Sequence, residues 1–284
     1  KCWVELPDSL FISKSLRVLK CDCGLEFEPP TSISLPALET LHLSSTLFLK
    51  DNIVELLKSC PVLESLMLED LQLYVLKKFT IYAPQVKHLE IRNWFGLEPA
   101  RCKIEIYAPN LLSLKCADHM KRDFWVETLC SPHIADFCMQ VGMSYEEDNW
   151  LPEEQSKKYI MRMMNYLRAV RNVKSLVISP LMVEVLKPWC FSCAKVFSKT
   201  SATLGSLSMQ FLNLRVMVLE NISVIQQHSD SICGILRFLN ISPNVETLTV
   251  KVTKDVVMDL ISGSFAEECC GLGGDECGCF QKSI

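Results

Sequence analysis

The sequence predicts an α/β solenoid of stacked repeats, and three observations support this fold class. One phrase recurs along the chain: an apolar residue, two variable residues, an apolar residue, one variable residue and a last apolar residue. Over the first half of the chain, its copies follow one another at nearly even steps. The final apolar, variable, apolar triplet alternates with the period of a β-strand. A unit this short cannot bury its own apolar face, so neighbouring units must stack.

The repeat can be followed through most of the chain. Its copies begin at Leu16, Leu38, Leu63, Val86, Leu111, Ile134, Val173, Leu214 and Val245. The steps up to Ile134 lie within the roughly 20–29 residues of leucine-rich repeats. The three steps after Ile134 are longer, so we expect insertions or degenerate copies there. The predicted fold is a curved leucine-rich-repeat solenoid with parallel strands on its concave face.

The segments that lead from one predicted strand to the next differ in type. Residues 51–60 keep apolar residues at helical spacing, and Asp51 is placed to cap that helix. Residues 79–82 and 104–107 alternate with period two, which predicts extended segments. A longer amphipathic helix is predicted at about 153–170. We therefore expect a convex face that mixes helices with extended segments.

Domain boundaries follow from where the repeat stops. Residues 1–262 form the predicted solenoid, with insertions near 142–154 and 188–208. Residues 263–284 lose the repeat and are rich in glycine and cysteine, which predicts a flexible tail. The first insertion carries an acidic run at 145–154. This run is either a docking site for a basic partner or a solvated loop.

Composition and charge argue against several classes of protein. A net charge of −4 gives no sign of the basic face that a nucleic-acid partner favours. No apolar run approaches the roughly 20 residues that cross a bilayer, so we expect no membrane partner. The chain has 15 cysteines, and its first residues lack the apolar region and cleavage site of a signal peptide. We therefore expect free thiols in a cytoplasmic or nuclear protein.

Candidate binding residues come from the variable positions of the four clearest copies. In a strand, these side chains point away from the core. A solenoid usually binds its partner through the concave surface that they form. The predicted partner-binding residues are Thr40, His42, Ser44, Ser65, Met67, Glu69, His88, Glu90, Arg92, Ser113 and Lys115, followed by Ala117. The alternative is that these are only the solvated positions of the strands.

The cysteines suggest another chemistry, but only weakly. Four thiols lie in the tail, at Cys269, Cys270, Cys277 and Cys279. Their spacing is not the paired pattern of zinc sites, so they are weak metal candidates. Cys190 and Cys193 form a C-x-x-C pair without the strand-then-helix context of a redox site. No phosphate loop, dinucleotide fingerprint or convergent catalytic set is visible, so we expect no enzyme activity and no cofactor.

Several phrases of the repeat are distinctive: Leu35-Pro-Ala-Leu-Glu-Thr-Leu-His-Leu43, Ser59-Cys-Pro-Val-Leu-Glu-Ser-Leu-Met-Leu68 and the segments 6–20, 173–178 and 242–248. Together they resemble the leucine-rich-repeat region of plant F-box/LRR-repeat proteins. The resemblance covers about residues 3–255. It implies a protein partner that is bound by the repeats.

The resemblance also implies a role in ubiquitin ligation. Members of that family dock a Skp-type adaptor of a cullin-based ubiquitin ligase through an N-terminal F-box, and their repeats recruit the substrate. This sequence begins where the family's repeats begin, so we expect adaptor contact only through an F-box missing from this chain. Residues 256–284 do not resemble the FBD segment of such chains. Two alternatives stay open: a stand-alone leucine-rich-repeat scaffold or inhibitor, and a metal-binding protein that uses the tail cysteines.

Overall fold

The computed structural model describes the chain in segments that hold most of the predicted repeats. These are residues 7–22, 30, 32–48, 50–73, 75–93, 102–118, 124–128, 132–139, 162–179, 210–222, 235 and 238–252. In chain order, their elements are a 3-10 helix (Asp8–Ile12), β1 (Val18–Asp22), β2 (Thr40–Ser44), α1 (Ile53–Lys58), β3 (Ser65–Glu69), β4 (Lys78–Tyr82), β5 (His88–Asn93), β6 (Lys103–Tyr107), β7 (Ser113–Asp118), β8 (Phe124–Thr128), β9 (Ile134–Met139), β10 (Ser175–Ile178), β11 (Val216–Ile222) and β12 (Thr247–Val252). Residues 162–169 are also helical.

The described strands form two parallel sheets. Nine of them form the sheet β1-β2-β3-β5-β7-β9-β10-β11-β12, which we call the front sheet. The other three form the sheet β4-β6-β8, which we call the back sheet. From β3 to β9 the chain alternates between the two sheets, so each repeat there adds one strand to each. This arrangement confirms the predicted leucine-rich-repeat solenoid and the extended return segments at 79–82 and 104–107.

One hydrophobic core joins the two sheets. Its cluster of buried side chains includes Leu66 and Leu89 from the front sheet and Phe79 and Ile81 from the back sheet. Phe79 also packs edge-to-face on Phe48, with ring centroids 5.0 Å apart. Burying one such side chain contributes about 1.5–3 kcal/mol. The sheets therefore stabilise each other, which is why neither face of a single repeat has to be stable alone.

Backbone hydrogen bonds fix the register between repeats where each front strand begins. The N–H groups of Glu64 and Ser65 both donate to the carbonyl oxygen of Glu39, at 2.9 and 3.0 Å. The N–H groups of Lys87 and His88 donate in the same way to the carbonyl oxygen of Glu64. Because this arrangement recurs, equivalent side chains of consecutive strands stand side by side.

The helix predicted at 51–60 is confirmed as α1, but its capping was predicted wrongly. The N-cap residue is Asn52, and no side-chain hydrogen bond caps the helix. Asp51 instead accepts the backbone N–H of Thr80, which lies 3.1 Å from each carboxylate oxygen. Among the described strands, β4 is at the edge of the back sheet, so the N–H of Thr80 has no neighbouring strand to bind there and bonds to Asp51 instead. The side-chain amide of Gln85 donates to the carbonyl oxygen of Leu57 at 3.0 Å, near the other end of α1.

The repeat copy in β9 was located correctly, but the start of its phrase was predicted wrongly. We expected the phrase to begin at Ile134. The structure pairs Ile134 with Ser113 and Ala135 with Leu114, so the phrase begins at Pro132. Pro132 is buried and takes the first apolar position itself. In the copies used to align it, the proline precedes that position.

The later repeats join the same sheet despite their long spacing. β10 pairs in parallel with both β9 and β11. The helix predicted before β10 is confirmed over residues 162–169, and Met163 and Leu167 face the core. Residues 153–161, both predicted insertions and the predicted tail lie outside the described residues. The proposed domain boundaries therefore stay a prediction.

Three described cysteines behave as small apolar side chains. Cys21, Cys60 and Cys116 are buried in the core, and none of them forms a disulfide. The thiol of Cys60 donates to the carbonyl oxygen of Leu56 at 3.1 Å. Burial raises the pKa of Cys60 to about 12, so its thiolate is strongly disfavoured. These three cysteines therefore contribute to the structure by packing in the core.

Candidate protein-binding surface

The outward side of the front sheet, which we call the front face, carries the predicted binding residues in three rows. The first row is Thr40, Ser65, His88 and Ser113; the second is His42, Met67, Glu90 and Lys115; the third is Ser44, Glu69, Arg92 and Ala117. Each row crosses β2, β3, β5 and β7 at one level. The structure therefore brings all of these residues onto one surface, while their role in binding stays a prediction.

Two residues of the third row do not project from the front face as we expected. Ser44 is 5% exposed and Ala117 is 8% exposed, so both belong to the floor of the face. The chain turns sharply after β2, where Ser45 has a φ of 53° and the hydroxyl of Thr46 donates to the carbonyl oxygen of Ser44. This turn accounts for the burial of Ser44. For Ala117 the reason is its short side chain beside longer neighbours.

Carboxylates of the second and third rows contact the imidazole and guanidinium groups beside them. His42 Nε2 lies 3.3 Å from Glu69 Oε2. Arg92 Nε donates to Glu90 Oε1 at 2.6 Å, and its guanidinium also lies 4.0 Å from Glu69. The side chains of Glu69 and Glu90 keep only 24% and 19% of their surface exposed. Salt screens such partly buried charges less than fully exposed ones. These contacts therefore orient the side chains in this part of the front face.

A depression of about 230 Å³ opens on the front face across β5, β7 and β9. Its lining includes Glu90, Arg92, Lys115, Ala117, Asp136 and Cys138. The space exists because Ala117 and Cys138 are small, whereas Arg92 stands at the equivalent position on β5. The depression is therefore bordered by charges and has a floor of small side chains.

Asp136 and Cys138 are front-face residues that the sequence analysis missed. Burial raises the pKa of Asp136 above its usual value; the charge of Glu220 raises it further, and Lys115 opposes this shift. Burial also raises the pKa of the Cys138 thiol, and the charge of Asp136 adds to the effect. Moving the phrase from Ile134 to Pro132 keeps the same side chains outward, because alternate residues share a face. The alternation in β9 was thus a usable signal, but the prediction stopped at the four clearest copies.

The outward side of the back sheet, which we call the back face, has a different arrangement. Glu105 lies 2.6 Å from Lys78 Nζ and 3.0 Å from Lys103 Nζ. Hydrogen bonds from these two lysines lower the pKa of Glu105, and the bond from Lys78 has the larger effect. Next to them, the rings of Tyr82 and Tyr107 are stacked, with centroids 4.8 Å apart. The described charges of β4 and β6 therefore satisfy one another.

The described surface offers charge pairing and packing rather than ligands for a metal. No group of three or more His, Cys, Asp or Glu side chains that could hold a metal ion occurs in the segments that the structure describes. The tail cysteines, the C-x-x-C pair at 190–193 and the acidic run at 145–154 lie outside those segments. Within the same segments, no helix has the length and apolar character to span a membrane.

Comparison with known proteins relates these repeats to plant F-box proteins. Residues 1–128 match the family model described as FBD-associated F-box protein At5g56370, LRR repeats. The FBD-associated F-box protein At4g10400 of Arabidopsis thaliana is 33% identical over 114 residues, which are 40% of this chain and 27% of that relative. F-box/LRR-repeat protein 13 of the same plant is 29% identical over 187 residues, or 64% of this chain and 40% of the relative. No solved structure matches the chain.

Fold and comparisons together define a leucine-rich-repeat protein. Its residues 1–128 match the model of the LRR repeats of an FBD-associated F-box protein, and the wider chain is similar to plant F-box/LRR-repeat proteins. The resemblance inferred from the sequence is therefore confirmed. The chain covers 27% and 40% of the two relatives described above, so it corresponds to less than half of either protein.

Proposed function

We propose that this chain recognises the substrate of a Skp–cullin–F-box ubiquitin ligase. The main support is the similarity of its repeats to those of F-box/LRR-repeat proteins. In a protein of that type, the F-box docks the adaptor and the repeats select the substrate. The chain then catalyses nothing itself; it holds a protein where the ligase can modify it.

The front face is the proposed docking surface. Its rows place polar and charged side chains next to Met67 across consecutive strands. Methionine and arginine are enriched in protein interfaces, and both occur here in Met67 and Arg92. Parallel strands in register also make the face one continuous surface rather than separate patches. A folded protein or an extended segment can therefore contact several repeats at once.

The proposed location is the cytoplasm or the nucleus. Cys21, Cys60 and Cys116 lie in the described core and form no disulfide. Buried cysteines that form no disulfide are typical of proteins from reducing compartments. This fits the place where a cullin-based ligase arm would meet its substrates.

Two matched charge reversals test the docking surface. Glu90 on the front face and Glu105 on the back face are each paired with a cation, and their side chains are 19% and 18% exposed. Proteins recovered from plant-cell extract by the wild-type chain and by each variant are quantified by mass spectrometry. We expect Glu90→Lys to reduce recovery of the bound proteins about tenfold and Glu105→Lys to leave it unchanged. Equal loss with both variants, or with neither, would exclude the front face.

The ligase connection needs a separate comparison. The full-length transcript product is compared with the 284-residue chain. We expect the longer product to recover a Skp-type adaptor and a cullin, and the chain alone to recover only the proteins bound by the repeats. If neither recovers adaptor and cullin, the ligase role is wrong. A stand-alone scaffold or inhibitor would then be the function.

A further inference from the structure

Asp136 differs from the other half-buried carboxylates of the front face. Three of these have side-chain partners: Glu69 contacts His42 and Arg92, Glu90 pairs with Arg92, and Glu220 pairs with Lys251. Within the segments that the structure describes, Asp136 takes part in no hydrogen bond or ion pair. A half-buried carboxylate loses part of its hydration, and here no internal partner compensates for that loss.

The neighbours of Asp136 in its row explain this isolation. On one side stands Lys115, whose side chain is exposed and forms no ion pair with the carboxylate in the described structure. On the other side stands Val177, whose apolar side chain offers no hydrogen bond to the carboxylate. Arg92, the other cation at the depression, is already engaged by Glu90. The charge of Glu220 is negative and disfavours the ionised form of Asp136.

The depression beside Asp136 has room for a side chain. Its volume of about 230 Å³ is several times the roughly 30 Å³ that one water occupies in the liquid. The floor at Ala117 is apolar, and long basic side chains lay their alkyl stems along such surface while their charged ends stay near polar groups. Shape and charge thus favour a long side chain with a positive end.

We propose that this depression receives one lysine or arginine side chain of the partner protein, with its alkyl stem over Ala117 and its cationic group paired with Asp136. The inference rests on the proposed function, because it names the kind of residue that the front face selects in its partner. Lys115 stays exposed and borders the bound residue. Selection comes from Asp136, the one half-buried carboxylate of the described front face that has no hydrogen bond or ion pair.

A random peptide library displayed on phage tests the pocket, with the purified chain as bait. Peptides selected by the wild-type chain should share a basic residue at one position, and its replacement by glutamine should weaken binding about tenfold. Asp136→Asn should abolish the preference. Glu105→Gln, the same chemical change on the back face, should keep it.

A second variant keeps the test independent of the carboxylate. Ala117→Met fills the depression without changing any charge, so it should weaken the same peptides about as much. If Asp136→Asn does not fold, Ala117→Met still tests whether the peptides bind in the depression. The proposal would be wrong if the selected peptides share no basic position, or if the preference for a basic residue remains in both variants.

The outcomes also separate the pocket from the proposed function. If the peptides lose binding with Glu90→Lys but share no basic residue, the front face remains the docking surface. Only the proposed binding of a basic side chain in the depression is then wrong. Peptides that no front-face variant affects, or a library that yields no front-face binder, count against both. Circular dichroism of each variant confirms that the chain is folded when it is used as bait.

Discussion

The front and back faces are built from the same alternating strands but use their outward charges differently. On the back face, Glu105 is hydrogen-bonded by both Lys78 and Lys103. On the front face, Asp136 and Lys115 stand side by side in register without an ion pair in the described structure. A face whose charges satisfy one another stabilises the repeat and needs nothing further. A face with charges left over can be completed by a partner, and this difference separates the structural surface from the candidate binding surface.

The largest expected effect concerns the core that joins the faces. Phe79 is fully buried, projects inward from β4 and packs on Phe48. We expect Phe79→Ala to lower the free energy of unfolding by about 3–5 kcal/mol, because it removes buried contacts and leaves a cavity. Urea unfolding followed by circular dichroism measures the loss. A loss below about 1 kcal/mol would mean that the back sheet is not part of the cooperative core.

A smaller effect is expected where the back sheet begins. The Asp51 carboxylate accepts the backbone N–H of Thr80 on the edge of β4. We expect Asp51→Ala to destabilise the chain by about 1 kcal/mol, since the bond is exposed but charge-assisted. Asp51→Asn keeps an acceptor oxygen and is the matched control. Equal thermal shifts for the two variants would show that this hydrogen bond contributes little.

The charge cluster of the back face predicts a modest pH dependence. The pKa of Glu105 is lowered in the folded chain from its usual 4.5. A lowered folded pKa adds stability that is present above the usual pKa and disappears as the pH falls through the folded pKa. Between about pH 7 and about pH 3.5 the wild-type chain should therefore lose more thermal stability than Glu105→Gln. Identical losses would contradict the role of Lys78 and Lys103.

The smallest effect is expected on the front face. Lys115 has no ion pair in the described structure, so Lys115→Gln should change the free energy of unfolding by less than about 0.5 kcal/mol. The measurement is urea unfolding at low salt, where electrostatic effects are largest. A loss above about 1 kcal/mol would show that Lys115 already pairs with Asp136. The two faces would then be alike, and no charge would be left for a partner.

The fold was predictable because its signal is local and repeated. Strand positions follow from an alternation that nearly every copy carries, and α1 follows from helical spacing within one segment. What failed depended on contacts between distant residues. Asp51 bonds to Thr80, 29 positions away, rather than to its own helix. β8 was missed, because Phe124, Trp125 and Val126 are all apolar and show no period-two alternation.

The candidate site was predictable as a set of positions but not as a set of interactions. Period-two alternation indicated the outward residues directly. Pairs such as His42 and Glu69 lie 27 positions apart and become neighbours only through the register of two repeats. The depression is less predictable still, because it depends on small residues on two strands, Ala117 and Cys138, standing beside a large one. Register therefore converts a list of positions into a surface.

The number of residues between neighbouring strands can vary widely in this sheet, whereas the register in which the strands pair cannot. β2 begins at Thr40 and β3 at Ser65, whereas β10 begins at Ser175, much farther along the chain from the start of β9 at Ile134. Both pairs are nevertheless hydrogen-bonded neighbours. The extra length adds only about 0.4 kcal/mol of loop-closure entropy. A slip of one position in pairing, by contrast, would exchange every front-face side chain with one from the core. Insertions between strands can therefore accumulate with little thermodynamic penalty, whereas a single deletion inside a strand would be strongly destabilising.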